Sequence, residues 1–258
     1  MRLRRSRPAA LTAAVSAAVV LGIVISPPVG SITGLGSQAS ASAGASTVGA
    51  LFTVTAGGRL GTHFCTASVV DSPAGDLVLT AAHCVAGLAA GTVAFVPDYS
   101  NGHGPFGVWT VTQIIVDQSW TTLRDPDDDF AFLIVHQRGA TASVQKLTGG
   151  ELIGIGKSAG EMVKVAGYPD GQGILISCDN SAIAFSPTQF EFDCDGFTNG
   201  TSGSPLLVDT DSLAGPATVI GVIGGYEQGG SSPSVSYAAR FSSRLAALYQ
   251  KALAAAGR

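Results

Sequence analysis

The sequence has few charged residues and few of the patterns that bind phosphate or metal. Only 12% of its 258 residues are charged, and 14 Lys and Arg face 18 Asp and Glu. No Cys-x-x-Cys pair occurs, and the Gly-rich segment 221–230 lacks the strand-turn-helix context of a phosphate-binding loop. We therefore expect no metal, nucleotide or flavin cofactor, and no nucleic-acid partner.

The basic residues that do occur are concentrated at the N-terminus. Four arginines within the first seven residues precede an apolar run from Ala9 to Ile25, followed by Pro27-Pro28. This layout is typical of a secretory signal. We predict that residues 1–43 are a signal peptide with a possible short propeptide, and that residues 44–258 are the functional domain.

The cleavage point and the fate of the leader have alternatives. Small-x-small sites occur at Ala39-Ser40-Ala41 and Ala41-Ser42-Ala43, but a cut nearer Val29, followed by a short propeptide, is equally allowed. The apolar run is close to the shortest that spans a bilayer, so an uncleaved anchor is the alternative. We expect cleavage, a secreted extracellular protein without stable membrane insertion, and a net charge of about −8, from ten basic and 18 acidic residues.

Four cysteines in an exported chain predict two disulfides. Three pairings are possible. We favour Cys65 with Cys84 and Cys178 with Cys194, because the members of each pair are close in sequence and flank a strand-like run. Metal binding by cysteine together with His83, which is adjacent to Cys84, is the alternative interpretation. The absence of a Cys-x-x-Cys spacing argues against it.

Short apolar runs punctuated by Gly and Pro predict an all-β fold. Many of these runs are continuous instead of alternating, as expected for strands that are covered on both faces. Leucines spaced among polar residues from Phe241 to Ala255 predict a single C-terminal helix. The predicted strands are Val48 to Thr55, Phe64 to Val70, Leu77 to Thr80, Thr92 to Pro97, Trp109 to Val116, Phe130 to Val135, Met162 to Gly167, Ile174 to Cys178, Gln189 to Cys194, Pro205 to Val208 and Val219 to Gly224.

Three segments carry the residue types of nucleophilic serine chemistry. Leu79-Thr80-Ala81-Ala82-His83-Cys84 supplies a base, Asp127-Asp128-Asp129-Phe130 supplies an acid, and Gly200-Thr201-Ser202-Gly203-Ser204-Pro205 supplies a hydroxyl. A serine is a poor nucleophile at neutral pH and needs a base within hydrogen-bond reach. The order His, Asp, Ser along the chain is that of chymotrypsin-type β-barrels and not of subtilisins or α/β-hydrolases.

Each of these segments also contains rival residues. We assign Ser202 as nucleophile, His83 as base and Asp129 as the acid that orients the histidine, with the Gly200 and Ser202 amides as the oxyanion hole. Ser204 precedes a proline and is the weaker nucleophile candidate. Asp127 and Asp128 are rivals for the acid, but Asp129 directly enters an apolar run, so we expect the other two to be solvated.

Taken together, these three motifs resemble those of the trypsin-like, chymotrypsin-fold serine proteases. Val165-Ala166-Gly167-Tyr168-Pro169 and the form of the serine motif are most similar to the bacterial glutamyl-endopeptidase branch. The resemblance runs from about Val48 to about Leu248. It implies a double six-stranded β-barrel with a C-terminal helix, endopeptidase activity through an acyl-enzyme, protein or peptide substrates, and a disulfide beside His83. We expect a monomer.

Two departures from the family pattern bear on activation and specificity. Thr201 stands where the animal enzymes carry the aspartate that switches on the zymogen. Ile223 or a neighbour stands where the glutamyl-specific branch places a histidine, so preference for acidic residues is not supported. Asp195 could lie at the floor of the specificity pocket and favour Arg or Lys. Gly224 and Gly225 would leave the pocket wall open and pair with an extended peptide.

A different class of function is also compatible with these motifs. A protease-fold protein that has lost activity could serve as a binding protein at the cell surface. Such proteins normally show replacement of the histidine, aspartate or serine, and His83, Asp129 and Ser202 are all in place. An active secreted serine endopeptidase is therefore the prediction, and the silent binding protein is the alternative.

Overall fold

Strands dominate the computed structural model, which describes residues 36–42, 45–210 and 215–257. The predicted signal run, Ala9 to Ile25, lies outside these residues. The strands in the described part are β1 Ser40–Ala41, β2 Val48–Val54, β3 Leu60–Val69, β4 Leu77–Thr80, β5 Val93–Pro97, β6 Trp109–Val116, β7 Ala131–His136, β8 Leu152–Ile153, β9 Met162–Gly167, β10 Ile176–Ser181, β11 Ile183–Ala184, β12 Gln189–Asp193, β13 Pro205–Val208, β14 Thr218–Val222 and β15 Val235–Ala239.

The N-terminal half is a closed six-stranded barrel. Its strands follow the order β2-β3-β4-β7-β6-β5, and each neighbouring pair is antiparallel. Closure leaves no free strand edge in this half. The pairing of β4 with β7 matters most for function, because the predicted His83 and Asp129 lie just beyond the adjacent ends of these two strands.

The continuous apolar runs are explained by burial on both faces of the barrel wall. Val78 and Leu133 face the barrel interior. Their neighbours Leu79 and Phe132 face outward and pack against buried residues of the C-terminal helix, among them Leu245. Because successive side chains point to opposite faces, a strand covered on both sides reads as an unbroken apolar run.

The C-terminal half consists of two sheets. One has six strands in the order β1-β10-β9-β13-β14-β8, and the other has three in the order β11-β12-β15. The predicted all-β, chymotrypsin-like architecture is confirmed, but this half is a half-barrel and not a second closed six-stranded barrel. An isolated bridge between Ile223 and Ala238 joins the two sheets, and no continuous ladder connects them in the described residues.

Four α-helices and two 3₁₀ turns complete the described chain. They are α1 Ala82–Val85, α2 Gln118–Leu123, α3 Val144–Thr148, α4 Ser243–Ala256, and the 3₁₀ turns Pro126–Asp128 and Tyr226–Gly229. Helix α4 matches the predicted C-terminal helix. Its N-cap, Ser242, accepts a hydrogen bond from the Arg244 N–H. No helix in the described residues is long and apolar enough to span a membrane.

A short strand inside the predicted leader packs on the C-terminal half. Strand β1 pairs with β10 through Ser40 and Ala41. The Ala39 N–H donates to the Asp195 carbonyl and the Asp195 N–H donates to the Ser37 carbonyl, both at 2.8 Å. The chain from Gly36 onward belongs to one compact unit. The boundary predicted at residue 43 therefore falls after a strand of this unit.

The structure contains two disulfides. Cys65 is joined to Cys84, and Cys178 is joined to Cys194. The first ties β3 to the helix that carries His83, and the second ties β10 to the end of β12. These are the pairings that sequence proximity favoured.

Candidate active site

The backbone brings His83 and Asp129 together before their side chains are considered. Thr80 pairs with Ala131 in the β4–β7 ladder. His83 follows Thr80 by three residues on the one-turn helix α1, and Asp129 precedes Ala131 by two. The disulfide at Cys84 fixes the residue next to the histidine. Adjacent strand ends in one barrel wall thus position both groups.

Asp129 is fully buried and saturated with N–H donors. Its Oδ2 lies 2.7 Å from His83 Nδ1 and accepts the Gly225 N–H at 2.8 Å. Its Oδ1 accepts the His83 backbone N–H at 2.8 Å. Holding Nδ1 as a donor leaves Nε2 of the neutral ring as an acceptor for a proton. The His83 side chain is 13% exposed, so its outer edge reaches the surface.

The neighbouring aspartates behave differently from one another. Asp127 is half-buried and accepts a hydrogen bond from Gln189 Nε2 at 2.7 Å. Asp128, expected to be solvated, is fully buried, and that expectation was wrong. It accepts hydrogen bonds from Ser119 Oγ and from Arg244 of helix α4. Burial raises the pKa of the Asp128 carboxyl, while these two donors oppose the rise.

The loop that carries Ser202 packs directly on the segment that precedes His83. A side chain on Gly203, whose φ is +84°, would collide with the Thr66 carbonyl and with Thr80 Oγ1. The Ser202 carbonyl accepts the Thr66 N–H at 2.8 Å. Only glycine allows this approach, which brings the serine loop of the C-terminal half against strand β3 and the end of strand β4.

The amides of Gly200 and Ser202 are available to an oxyanion. Neither N–H donates to an acceptor among the described residues, whereas the intervening Thr201 N–H donates to the Thr198 carbonyl. Gly200 has a φ of +91°, and a side chain there would lie 2.6 Å from the Tyr168 carbonyl. Amides without an acceptor in a glycine-rich turn are candidate donors for an oxyanion hole.

The rival serine is inaccessible to a substrate. Ser204 is fully buried, and its hydroxyl has no hydrogen-bond partner in the described part of the chain. Ser202 is half-exposed and lines a pocket of about 420 Å³. Accessibility therefore separates the two candidates in favour of Ser202.

The pocket beside Ser202 includes some, but not all, of the predicted specificity residues. Ile223 lines it, and so does Asp170, which sequence reasoning missed. Asp170 lies in the turn after Tyr168-Pro169, where its composition signals only a loop. Asp195 is not among the lining residues. It is exposed, and one of its oxygens accepts a hydrogen bond from Ser234 Oγ at 3.3 Å.

Gly224 and Gly225 lie against the carboxylate of Asp129. The Gly224 N–H donates to the Tyr237 carbonyl, and Gly225 donates to Asp129. Gly225 also lines a second groove, of about 600 Å³, together with His83 and Gln228. Gln228 lines both cavities, whereas neither Gly224 nor Gly225 is among the residues that line the pocket beside Ser202.

The cysteine and histidine cluster is not a metal site. Ligand atoms of Cys65, His83 and Cys84 lie within 4.8 Å of one another. Both sulfur atoms belong to the disulfide, and metal binding by cysteine needs a thiolate.

Comparison with known proteins identifies the family. The family model for the trypsin-like peptidase domain matches residues 61–215, which is more than half of the chain. The chain belongs to the trypsin-like peptidase family. This peptidase is therefore a serine protease of chymotrypsin-like fold, and no curated protein sequence matches it.

Solved bacterial proteases share the fold of this peptidase. The protease Anisep from Arthrobacter nicotinovorans is 24% identical with a TM-score of 0.70, over 84% of this chain and 99% of that chain. The thermostable serine protease AL20 from an extremophilic microorganism is 24% identical with a TM-score of 0.67, over 81% and 98%. A Glu endopeptidase is 18% identical with a TM-score of 0.65, over 84% and 97%.

Proposed function

We propose that this peptidase is an exported, monomeric serine endopeptidase that uses His83, Asp129 and Ser202. Ser202 Oγ attacks the peptide carbonyl while His83 Nε2 takes its proton. The imidazolium, stabilised by Asp129, then gives that proton to the leaving amine, and an acyl-enzyme forms on Ser202. Water activated by the same histidine hydrolyses the ester, and the amides of Gly200 and Ser202 stabilise the oxyanion in both steps.

The observation that carries this proposal is the environment of Asp129. A fully buried carboxylate with three N–H donors, one of them His83 Nδ1 at 2.7 Å, fixes the tautomer and the orientation of the histidine. A histidine held for packing alone does not require a buried charge behind it, because burying a charge is costly. The saturation of Asp129 thus supports a base that is prepared to accept a proton.

The pocket supports peptide hydrolysis without a preference for acidic residues. One fold neighbour is a Glu endopeptidase, but Ile223 here contributes an apolar wall beside Ser202. The predicted role of Asp195 in Arg or Lys selection gains no support from an exposed carboxylate that does not line the pocket. We propose that the pocket disfavours acidic side chains, because Asp170 contributes a carboxylate and Ile223 an apolar surface to its lining.

Export is supported by the two disulfides, since such bonds persist in oxidising compartments. We propose that the mature chain begins upstream of β1. A cut at Ala39-Ser40-Ala41 or Ala41-Ser42-Ala43 would remove a strand that pairs with β10, whereas a cut nearer Val29 would keep it.

The function is tested by hydrolysis of a denatured protein substrate by the purified, disulfide-bonded enzyme. We expect cleavage by the wild type and loss of about 10⁵-fold or more in kcat for Ser202→Ala and His83→Ala, because these residues act as a unit. Ser204→Ala is the matched control and should keep activity. Cleavage that persists in Ser202→Ala would contradict the assignment.

The same experiment addresses the alternative function. If the folded wild type cleaves neither the protein nor a small ester, the triad is inactive or masked by the N-terminal segment, and the silent binding protein at the cell surface becomes the favoured interpretation. If the wild type cleaves the ester but not the protein substrate, the triad mechanism is retained and the proposed endopeptidase activity is absent.

A further inference from the structure

Three aromatic rings form an exposed platform on the C-terminal half. Phe185, Tyr226 and Tyr237 come from the β11–β12 turn, the second 3₁₀ turn and β15. Their ring centroids are 4.6 to 5.1 Å apart. Although the rings contact one another, Phe185 remains 43% exposed and Tyr226 remains 40% exposed. A contiguous exposed aromatic patch on a soluble domain often marks a binding surface.

Carboxylates surround the aromatic platform. Glu191 is the direct cross-strand partner of Tyr237, and Asp193 lies on the same face of β12 two residues further. Glu227 follows Tyr226 in the chain. None of these three carboxylates forms an ion pair in the described part of the chain.

The negative charge of these carboxylates acts electrostatically on the aromatic platform. Burial is the largest contribution that raises the pKa of the Tyr237 hydroxyl, and the charges of Glu191, Glu227 and Asp193 raise it further. Arg240, the residue after β15, does not neutralise them. Its guanidinium is bound to the carbonyls of Pro187 and Lys157 and stacks on Phe190, which is buried on the other face of the sheet.

The platform is continuous with the candidate active site. Tyr226 and Glu227 line the same groove as His83, and they directly follow Gly225, which donates to Asp129. Arg124, which stacks on Trp120 at 5.5 Å, also lines this groove. A peptide extended along the groove advances about 3.3 Å per residue, so the platform is within reach of a residue a few positions from the scissile bond.

We propose that Phe185, Tyr226 and Tyr237, with Glu191, Asp193 and Glu227, form a subsite for a lysine or arginine side chain of the peptide substrate. The subsite rests on the proposed peptidase function and selects a residue away from the scissile bond. The aliphatic stem packs on the rings, and the cationic head meets aromatic faces and unpaired carboxylates. An acidic side chain at the same position is repelled.

The test is a set of peptides of constant length, with one lysine moved through every position on a neutral background. Cleavage sites are mapped by mass spectrometry. At the preferred position, lysine is replaced by norleucine, alanine and glutamate, and kcat/KM is measured for each peptide. We expect lysine to exceed norleucine by roughly tenfold, and glutamate to be the poorest substrate. Norleucine keeps the length of the stem and removes the charge.

Variants of the platform test whether it causes the preference for lysine over norleucine. Glu191→Gln and Glu227→Gln should each lower the lysine-to-norleucine ratio several-fold, and Tyr226→Ala should lower it while Tyr226→Phe keeps it. Glu161→Gln removes an exposed carboxylate elsewhere and should leave the ratio as in the wild type. Because each ratio is taken within one variant, a general loss of activity does not change it.

The outcomes separate this inference from the proposed function. A wild type that cleaves the peptides with equal kcat/KM for lysine and norleucine at every position overturns the subsite and leaves the peptidase function intact. A lysine preference that survives in both glutamine variants also overturns it. A wild type that cleaves no peptide and no small ester overturns the proposed function, and the subsite with it.

Discussion

At the scale of single residues, the central interaction is that between Asp129 and His83. The carboxylate receives N–H groups from the histidine ring, the histidine backbone and Gly225. Every one of these contacts is a donor, so the position requires acceptors on both oxygens. An amide in place of the carboxylate would present one N–H₂ group to a donor and disturb the orientation or the tautomer of the ring.

We therefore expect Asp129→Asn to lower kcat by about 10⁴-fold with little change in the fold. The measurement is steady-state hydrolysis of a small ester, with circular dichroism as the check on structure. Asp127→Asn is the matched control, because an amide oxygen can still accept the hydrogen bond from Gln189. Equal activity of the two variants would refute the role of Asp129.

Glu151 is a second residue whose environment predicts a measurable effect, this time on stability. It is buried, and Thr47 Oγ1 donates to its Oε1 at 2.8 Å. The hydroxyls of Ser68 and Thr47 favour the ionised carboxylate, but burial outweighs them. Burial raises the pKa of this carboxyl from 4.5 to about 7. Between these pH values the folded protein keeps a proton that the unfolded chain releases, so stability falls as pH rises.

The wild type should lose about 3 kcal/mol of unfolding free energy to this group between pH 4.5 and pH 8. Glu151→Gln keeps an acceptor for Thr47 and cannot ionise. We expect it to match the wild type near pH 4.5 and to be more stable at pH 8 by a similar amount in urea unfolding. A variant less stable than the wild type at pH 8 would show that the ionised carboxylate is favourable.

At the scale of secondary-structure elements, sequence reasoning succeeded where burial alone determines the pattern. Leu77–Thr80 and Trp109–Val116 have the predicted bounds, and helix α4 is close to its predicted range. Strands β1, β8 and β11 were missed because two-residue strands carry no periodicity. The five-residue strand β15, Val235–Ala239, was missed as well. Their pairing depends on partners that are remote in sequence.

The same limit explains which parts of the site could be predicted. Three local motifs sufficed to select His83, Asp129 and Ser202 as candidates. The burial of Asp128 depends on Arg244, which is 116 residues away, and no local pattern signals it. Asp170 lines the pocket because the turn after Pro169 folds against the Ser202 loop, and the sequence of that turn indicates only a loop.

Strand β1 predicts where the N-terminus of the mature protein lies. Its hydrogen bonds with β10 and with the segment at Asp195 contribute to the folded unit, so we expect the mature N-terminus to lie at or before Gly36. N-terminal sequencing of the secreted protein measures this directly. An active secreted enzyme that begins after Ala41 would show that β1 is dispensable.

At the scale of the whole molecule, the candidate site forms where the two halves of the fold meet. The barrel supplies His83 and Asp129 from adjacent strand ends, and the C-terminal half supplies the Ser202 loop and Gly225. Gly203 allows close contact between the halves at Thr66 and Thr80. Chemistry at this site thus requires the complete fold, with both halves in place.

The most direct test of this account is to label the purified wild type with a fluorophosphonate and to map the adduct by mass spectrometry. We expect a single adduct on Ser202, absent in Ser202→Ala and strongly reduced in His83→Ala, because the hydroxyl reacts only when the histidine removes its proton. A correctly folded, disulfide-bonded wild type that carries no adduct, or one that carries it on another serine, would contradict the central claim.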